Sequence, residues 1–251
     1  MKELMAANWK MYKTWDQASA TASELAGLLH GKLPAGREVL IIPPFTSLKA
    51  VSDVLTPIEG LHVGGQDFYP AQEGAFTGEI SPAMLADLGA DYALTGHSER
   101  RHVLGEDDAL VGRKTAFGLE HGLKVILCIG EKVEERKAGR VEEVLARQLE
   151  AGLADIPKKT LAENLVVAYE PVWAIGTGEV AGPDEIQTAH GHVRKKLQQL
   201  LPAIANEIRI LYGGSVKPDN AGAIMALDNV DGVLVGGASL IAESFSKIVL
   251  A

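Results

Sequence analysis

Short apolar runs recur along the chain, and longer stretches with helical periodicity separate them. The runs are rich in Val, Ile and Leu and mostly lack strict alternation, which is typical of strands buried on both faces of a parallel sheet. The pattern predicts eight strands, at residues 4–9, 39–44, 61–66, 92–97, 124–130, 165–170, 208–214 and 232–237.

Helices are predicted between these strands, at residues 16–32, 47–55, 81–89, 109–122, 141–153, 183–201, 218–227 and 238–245. Eight strand–helix units in 251 residues average about 31 residues each, which is the size expected of a (β/α)8 barrel. No linker divides the chain, so we expect one domain over residues 1–251. The predicted fold is of the α/β class, a barrel of eight parallel strands with outer helices. A doubly wound open sheet is the alternative, but its GxGxxG motif after the first strand is missing.

Composition and charge limit the partners of such a barrel. The formal net charge is −9, from 24 basic and 33 acidic residues, which argues against binding nucleic acid or an anionic membrane. No apolar run is long enough to cross a bilayer and the first residues lack signal-peptide features, so we expect a cytoplasmic protein. The single cysteine, Cys128, is predicted to be a buried core residue. The histidines show no metal-ligand spacing, and we expect neither a metal nor a cofactor.

Candidate chemistry lies where the predicted strands end, because barrel enzymes place their active sites at the carboxyl ends of the strands. Asn8 and Lys10 lie at the end of the first strand, His97 and Glu99 at the end of the fourth, and Glu170 at the end of the sixth. Each residue alone has an ordinary structural interpretation, as a solvated lysine, a packed histidine or a salt-bridge acid. Together they predict an active site, since a closed barrel brings all of these strand ends to one rim.

The last two strand–helix units indicate a phosphate site. The segments YGGSVKPDN (212–220) and LVGGASL (234–240) each run from a strand into paired glycines and then toward a helix. Glycine lets backbone N–H groups approach a ligand closely, and barrels often bind phosphate after strands seven and eight. Ser215, Gly236 and Gly237 are therefore the candidate phosphate donors, although a Gly-Gly pair is commonly only a turn.

Five segments, AANWKM, GHSERR, AYEPVWAIGTG, YGGSV and LVGGASL, occur in this order and together resemble the triosephosphate isomerase family. The resemblance covers the whole chain and implies the (β/α)8, or TIM, barrel of that family. It also implies an isomerase that interconverts dihydroxyacetone phosphate and D-glyceraldehyde 3-phosphate through an enediolate, without a cofactor. A different barrel enzyme acting on sugar phosphates is the alternative, but it has no need of AYEPVWAIGTG. A non-catalytic descendant is the third hypothesis, and the retained strand-end residues argue against it.

The resemblance also assigns roles to the strand-end residues. Glu170 is implied to be the base that moves a proton between neighbouring carbons, and exclusion of water is expected to raise its pKa. His97 is implied to donate a hydrogen bond to the substrate oxygens while neutral. Asn8 and Lys10 resemble further polar contacts to the substrate, and Glu99 is expected behind them, paired with Lys10 before substrate binds.

The stretch after the base resembles the lid loop of the family, which closes over the substrate. Its first residues resemble a hinge, its middle an apolar cover, and its end the approach to a second hinge. Ile175 is implied to cover the base, and the Gly176 amide is implied to reach the phosphate. The lid residues are Pro171, Val172, Trp173, Ala174, Ile175, Gly176, Thr177 and Gly178.

A long loop predicts a partner subunit. Residues 66–81 contain aromatic and small residues, and long ordered loops in compact domains are usually functional. The segment resembles the third loop of the family, which docks into a second subunit, with Thr77 near its tip. We therefore expect a homodimer.

Overall fold

The computed structural model describes residues 1–175 and 180–251, and its centre is a closed sheet of eight parallel strands. Each strand pairs with its neighbours in sequence, and the last strand pairs with the first. The strands are β1 Glu3–Asn8, β2 Arg37–Ile42, β3 Leu61–Gly65, β4 Tyr92–Thr95, β5 Lys124–Ile129, β6 Leu165–Tyr169, β7 Arg209–Tyr212 and β8 Gly232–Val235. The predicted (β/α)8 barrel is confirmed.

Ten α-helices are found in the described residues and lie outside this barrel. They are α1 Trp15–Leu29, α2 Phe45–Leu55, α3 Pro82–Asp87, α4 Ser98–His102, α5 Asp108–Glu120, α6 Val133–Lys137, α7 Val141–Leu153, α8 Pro183–Leu200, α9 Ala221–Met225 and α10 Ala242–Leu250. No helix of the described part of the chain is long and apolar enough to cross a membrane.

The short helices α4 and α6 are absent from the sequence-based prediction. Each has five residues, so neither is long enough to show a repeating apolar face. The predicted strands also run past the observed carboxyl ends of all eight strands, by one or two residues. At these positions the chain has already left the sheet and begun the loops that carry polar side chains.

Two apolar layers fill the fold. One lies inside the barrel, where side chains alternate along each strand, as in Leu4 and Ala6 of β1 or Val166 and Ala168 of β6. The other lies between the outer face of the strands and the helices, and it includes Met5, Val167 and buried residues of α1, α2, α7, α8 and α10. The strands are therefore buried on both sides, which explains their continuous apolar sequences.

Close packing of α5 against α7 depends on Gly112. A Cβ atom at Gly112 would lie 2.3 Å from the carbonyl oxygen of Ala151, which is backbone that cannot move aside without shifting α7. Gly191 in α8 is the matched control, because a Cβ atom there would meet nothing within 4 Å.

We predict that Gly112→Ala lowers the free energy of unfolding by about 1–3 kcal/mol, because overpacking forces the two helices apart. Gly191→Ala is expected to raise it by up to about 1 kcal/mol, through the higher helix propensity of alanine. Urea denaturation of the two variants and the parent measures both changes. Equal stability of the two variants would contradict the packing argument.

Candidate active site

The alternation that fills the barrel also places two polar side chains at its mouth. Asn8 follows Ala6 by two residues and Glu170 follows Ala168 by two, so both continue the inward-facing rows. They line a cavity of about 220 Å³ at the carboxyl ends of the strands. Lys10 and His97 line the same cavity, so the structure brings four of the five predicted catalytic residues together around it.

Glu170 and His97 are in direct contact at the buried end of the cavity. The Nε2 atom of His97 lies 3.0 Å from Oε1 of Glu170, and the backbone N–H of Ser98 donates to Oε2 of Glu170 over 2.9 Å. Both side chains are almost fully buried. Each carboxylate oxygen thus faces a donor, so the Glu170 side chain is held in a fixed position.

The hydrogen bonds of His97 define its tautomer. Its Nδ1 atom accepts from the backbone N–H of Glu99 over 3.3 Å, since His97 is the N-cap of helix α4. A nitrogen that accepts a hydrogen bond carries no proton, so in this arrangement the ring is neutral and its proton sits on Nε2, facing Glu170. The carboxylate of Glu170 has the opposite effect, because its negative charge favours the protonated ring.

Lys10 is held above this pair by its neighbours. Its ammonium donates to Oε1 of Glu99 over 2.7 Å, and its backbone N–H donates to Oδ1 of Asn8 over 2.9 Å. Lys10 has a φ of 51°, which is uncommon for a residue other than glycine. The side chain of Gln66 donates to the carbonyl of Lys10 over 2.7 Å and to that of Ile42, so hydrogen bonds fix this backbone conformation.

The opposite wall of the cavity consists of the loops after β7 and β8. Ser215, Gly236 and Gly237 line it, as do Gly213 and Gly214. A Cβ atom on Gly236 would lie 3.2 Å from Cε of Lys10, so glycine leaves room for the lysine side chain beside this loop. The three predicted phosphate donors and the lysine therefore border one space.

The pKa of Glu170 is shifted in the opposite direction to the sequence-based expectation. Burial raises the pKa, as expected, but the charge and hydrogen bond of His97 lower it, as do the Ser98 N–H and the charge of Lys10. The net result is a pKa below the ordinary value. For His97, burial lowers the pKa, but the attraction of Glu170 outweighs it and the pKa is raised.

The start of the predicted lid is anchored to Glu131. Residues Val172–Ala174 form a 3-10 turn, and the indole N–H of Trp173 donates to Oε1 of the buried Glu131 over 2.8 Å. The hydroxyl of Tyr169 donates to the same oxygen over 3.1 Å. Ala174 and Ile175 line the cavity. The remaining lid residues of the prediction, Gly176, Thr177 and Gly178, lie outside the described residues.

Three residues at this site escaped the sequence analysis. Glu131 lies two residues after the end of β5, so the same strand-end rule would have identified it. Gln66 begins the long loop after β3, and only the structure shows its hydrogen bond to the carbonyl of Lys10. Ser98 acts through its backbone N–H, which no side-chain pattern reveals.

Comparisons with known proteins agree with this geometry. The family model described as triosephosphate isomerase matches residues 3–251. The triosephosphate isomerase of Nitratidesulfovibrio vulgaris strain Hildenborough is 62% identical over 251 residues, which cover 100% of both chains. That of Lawsonia intracellularis is 50% identical over 249 residues, which cover 99% of this chain and 98% of the relative. The chain belongs to the triosephosphate isomerase family.

A solved structure extends the likeness to the fold. The crystal structure of triosephosphate isomerase from Bartonella henselae has a TM-score of 0.87 and 38% identity, and the match covers 99% of this chain and 98% of that one.

Thr77 is the predicted dimer contact. It is exposed and is not among the residues that line the cavity.

A second buried histidine, His190 of α8, packs against Tyr169, the residue directly before Glu170. Its ring meets that of Tyr169 edge-on, with centroids 5.8 Å apart, and its Nδ1 atom lies 2.8 Å from the carbonyl oxygen of Asn229. Burial lowers the pKa of His190 from 6.5 to about 4, against a smaller raising effect of the Asn229 carbonyl.

We predict that His190 makes the fold sensitive to acid. Between pH 6.5 and about 4 the imidazole is protonated in the unfolded chain but stays neutral in the folded protein. The free energy of unfolding therefore falls as the pH decreases through this range. The contribution reaches up to about 3 kcal/mol. NMR titration of the imidazole measures the pKa directly, and a midpoint near 6.5 would contradict the prediction.

Proposed function

We propose that the cavity at the carboxyl ends of the strands carries out the interconversion of dihydroxyacetone phosphate and D-glyceraldehyde 3-phosphate. The chain is an aldose–ketose isomerase of its family, and the observation that carries the mechanism is the contact of Glu170 with His97. A buried carboxylate and a hydrogen-bond donor at one end of a small cavity suit proton transfer next to a carbonyl group.

The reaction moves protons without changing the overall composition of the substrate. Glu170 removes a proton from carbon 1 of dihydroxyacetone phosphate and returns it to carbon 2. The hydroxyl proton on oxygen 1 is lost, and one is gained on oxygen 2. Negative charge develops on these oxygens in the enediolate, and the Nε2–H of His97 is the donor that stabilises it. The protein ends in the protonation state in which it began.

This mechanism requires a change of hydrogen-bond partners. The Nε2–H of His97 and the backbone N–H of Ser98 both donate to Glu170 before substrate binds, and both lower the pKa of Glu170. In our proposal the substrate oxygens take the His97 donor, and Glu170 leaves at least one of its partners to reach carbon 1. Loss of these bonds removes the causes that lower the pKa, so the carboxylate becomes a stronger base when substrate is present.

Phosphate is proposed to bind between the loops after β7 and β8 and Lys10. Ser215, Gly236 and Gly237 border this space and supply backbone donors, which bind a dianion without adding to the overall charge. Lys10 offsets the charge of both the phosphate and the enediolate. Its present partner, Glu99, is about half exposed, so solvent weakens this ion pair and the lysine is available to an incoming anion.

The lid is proposed to close over the substrate, because an enediolate phosphate that meets water loses its phosphate. Trp173 and Glu131 support the first hinge through their 2.8 Å hydrogen bond, and Ile175 already borders the cavity. Exclusion of water strengthens the interactions of the charged groups inside the cavity.

A homodimer is proposed from the exposed apolar side chains after β1 and β3. Met11 is 93% exposed, Tyr12 and Trp15 are more than half exposed, and Phe76 of the 66–81 loop is 41% exposed. Such side chains at neighbouring loops are typical of an interface that a second subunit covers. Thr77 lies beside Phe76 and is proposed to contact the partner.

We further propose that residues 1–251 act as one domain in the cytoplasm. The pairing of β1 with β8 joins the two ends of the described chain, which supports a single unit. Cys128 is a free thiol, which fits a reducing compartment.

We predict that Glu170→Asp lowers kcat about a hundredfold, because the carboxylate is withdrawn by roughly 1 Å from carbon 1. Glu170→Gln keeps the size but removes the base, and a larger loss is expected. A coupled assay with dihydroxyacetone phosphate measures both, and circular dichroism checks the fold. Wild-type turnover in either folded variant would exclude Glu170 as the base. Absence of isomerase activity in the parent would favour another sugar-phosphate reaction.

We predict that Met11→Glu weakens the dimer at least tenfold, because it buries a charge in the proposed interface. Leu161→Glu is the control, since Leu161 is also more than half exposed but precedes β6 at the opposite end of the barrel. Sedimentation velocity at micromolar concentration compares the two variants with the parent. A monomeric parent with full activity would refute the dimer.

A further inference from the structure

The buried side chain of Arg101 binds the strand end that carries His97. Its Nε donates to the carbonyl of Gly96 over 2.7 Å, and one terminal nitrogen donates to the carbonyl of Cys128 over 3.3 Å. The other terminal nitrogen contacts Oδ1 of Asp108 over 2.6 Å. The guanidinium is 6% exposed. Three sides of one planar cation are therefore engaged.

Gly96 is the residue directly before His97, and its conformation suits this contact. Its φ is +68°, and a Cβ atom would lie 2.7 Å from a terminal nitrogen of Arg101 and 2.8 Å from Val111. The backbone N–H of Arg101 in turn donates to the carbonyl of His97 over 3.0 Å. Arg101 thus holds the chain on both sides of His97.

These bonds constrain the direction of the imidazole. The Gly96 carbonyl belongs to the planar peptide that enters His97, so holding its oxygen fixes the plane from which the His97 side chain departs. A hydrogen bond from a guanidinium is roughly twice as strong as one between neutral groups. Catalysis is sensitive to such placement, because a displacement of about 1 Å can cost roughly a hundredfold in rate.

The same guanidinium connects the strand ends that carry the acid–base pair. The Cys128 carbonyl belongs to β5, which lies between β4 and β6 in the sheet. The next carbonyl of β5, that of Ile129, accepts from the backbone N–H of Glu170 over 2.7 Å. Arg101 therefore links the segment of His97 to the strand that fixes the backbone of the base.

We propose that Arg101 is a positioning residue, which holds the Gly96 and Cys128 carbonyls and thereby aims the His97 imidazole at Glu170 and the substrate oxygens. This inference rests on the role of His97 in the proposed function. Arg101 does not border the cavity, so it acts through His97 and not by contact with substrate.

A purely structural role is the competing explanation, and the chain offers a matched control for it. Arg194 of α8 is also largely buried, pairs with Asp231 over 2.9 Å and donates to the carbonyls of Ala205 and Ile208. It makes the same kinds of bonds as Arg101. Its partners precede β7 and β8, at the end of the barrel away from the cavity.

The test compares Arg101→Gln with Arg194→Gln in the coupled assay and in urea denaturation. Both variants are expected to lose stability. For Arg101→Gln we expect kcat to fall about tenfold to a hundredfold while KM changes less than about threefold, because orientation and not phosphate binding is lost. For Arg194→Gln we expect kcat within about twofold of the parent. Equal kcat values in the two variants would overturn the proposal.

A double-variant cycle with His97→Gln tests whether Arg101 acts through the imidazole. In the His97→Gln background, Arg101→Gln is expected to lower kcat by less than about threefold, since the side chain that it positions is gone. An undiminished effect in that background would show that Arg101 acts by another route. Full activity of His97→Gln alone would refute the role of His97. That outcome would be a failure of the proposed function, and it is distinct from a failure of the Arg101 inference.

Asp108→Asn serves where Arg101→Gln does not fold, because it keeps the guanidinium and removes only the charge that holds one terminal nitrogen. A smaller fall in kcat in the same direction is expected. The ¹⁵N and ¹H signals of the His97 imidazole provide a readout that is independent of turnover. They are expected to shift in Arg101→Gln or Asp108→Asn and to stay in place in Arg194→Gln. Unchanged His97 signals in all three variants would overturn the proposal.

Discussion

Pairing of the first strand with the last is the constraint on which the rest of this molecule depends. Leu4 lies opposite Gly232, and the register continues to Ala7 opposite Val235. Gly232 has a φ of +151°, and a Cβ atom there would lie 2.1 Å from the carbonyl of Leu4, so only glycine permits this approach. Closure turns eight strand ends into one rim, and the polar residues that follow distant strands become neighbours there.

At that rim Glu170 and Lys10 both have close polar partners. Glu170 shares its two oxygens between His97 and the Ser98 N–H, and its pKa is lowered as a result. Lys10 is paired with Glu99. A buried carboxylate and a partly buried ammonium would be costly without partners, because each has lost much of its water. In the function proposed above, a polar substrate takes over these same partners.

The backbone supplies much of what this site uses. Backbone N–H groups hold Glu170 and set the tautomer of His97, while paired glycines border the cavity. Fixed dipoles of this kind suit a protein with a net charge of −9, because they favour an anion locally without altering the overall field. The side chain of Gln66 in turn holds the carbonyl of Lys10, and that of Arg101 holds the carbonyls of Gly96 and Cys128.

The sequence by itself determined the barrel and indicated several of the residues that line its cavity. Apolar runs at the spacing of strand–helix units predicted all eight strands, and the strand-end rule indicated Asn8, Lys10, His97 and Glu170, because periodicity and strand direction are local properties. Only the tertiary structure decided which side chains and backbone groups these residues contact. It joined Arg101 to the carbonyls of Gly96 and Cys128, placed Glu131 beneath Trp173, and reversed the expected pKa shift of Glu170. Distances between residues far apart in the chain govern these effects, and no local pattern of residues encodes such distances.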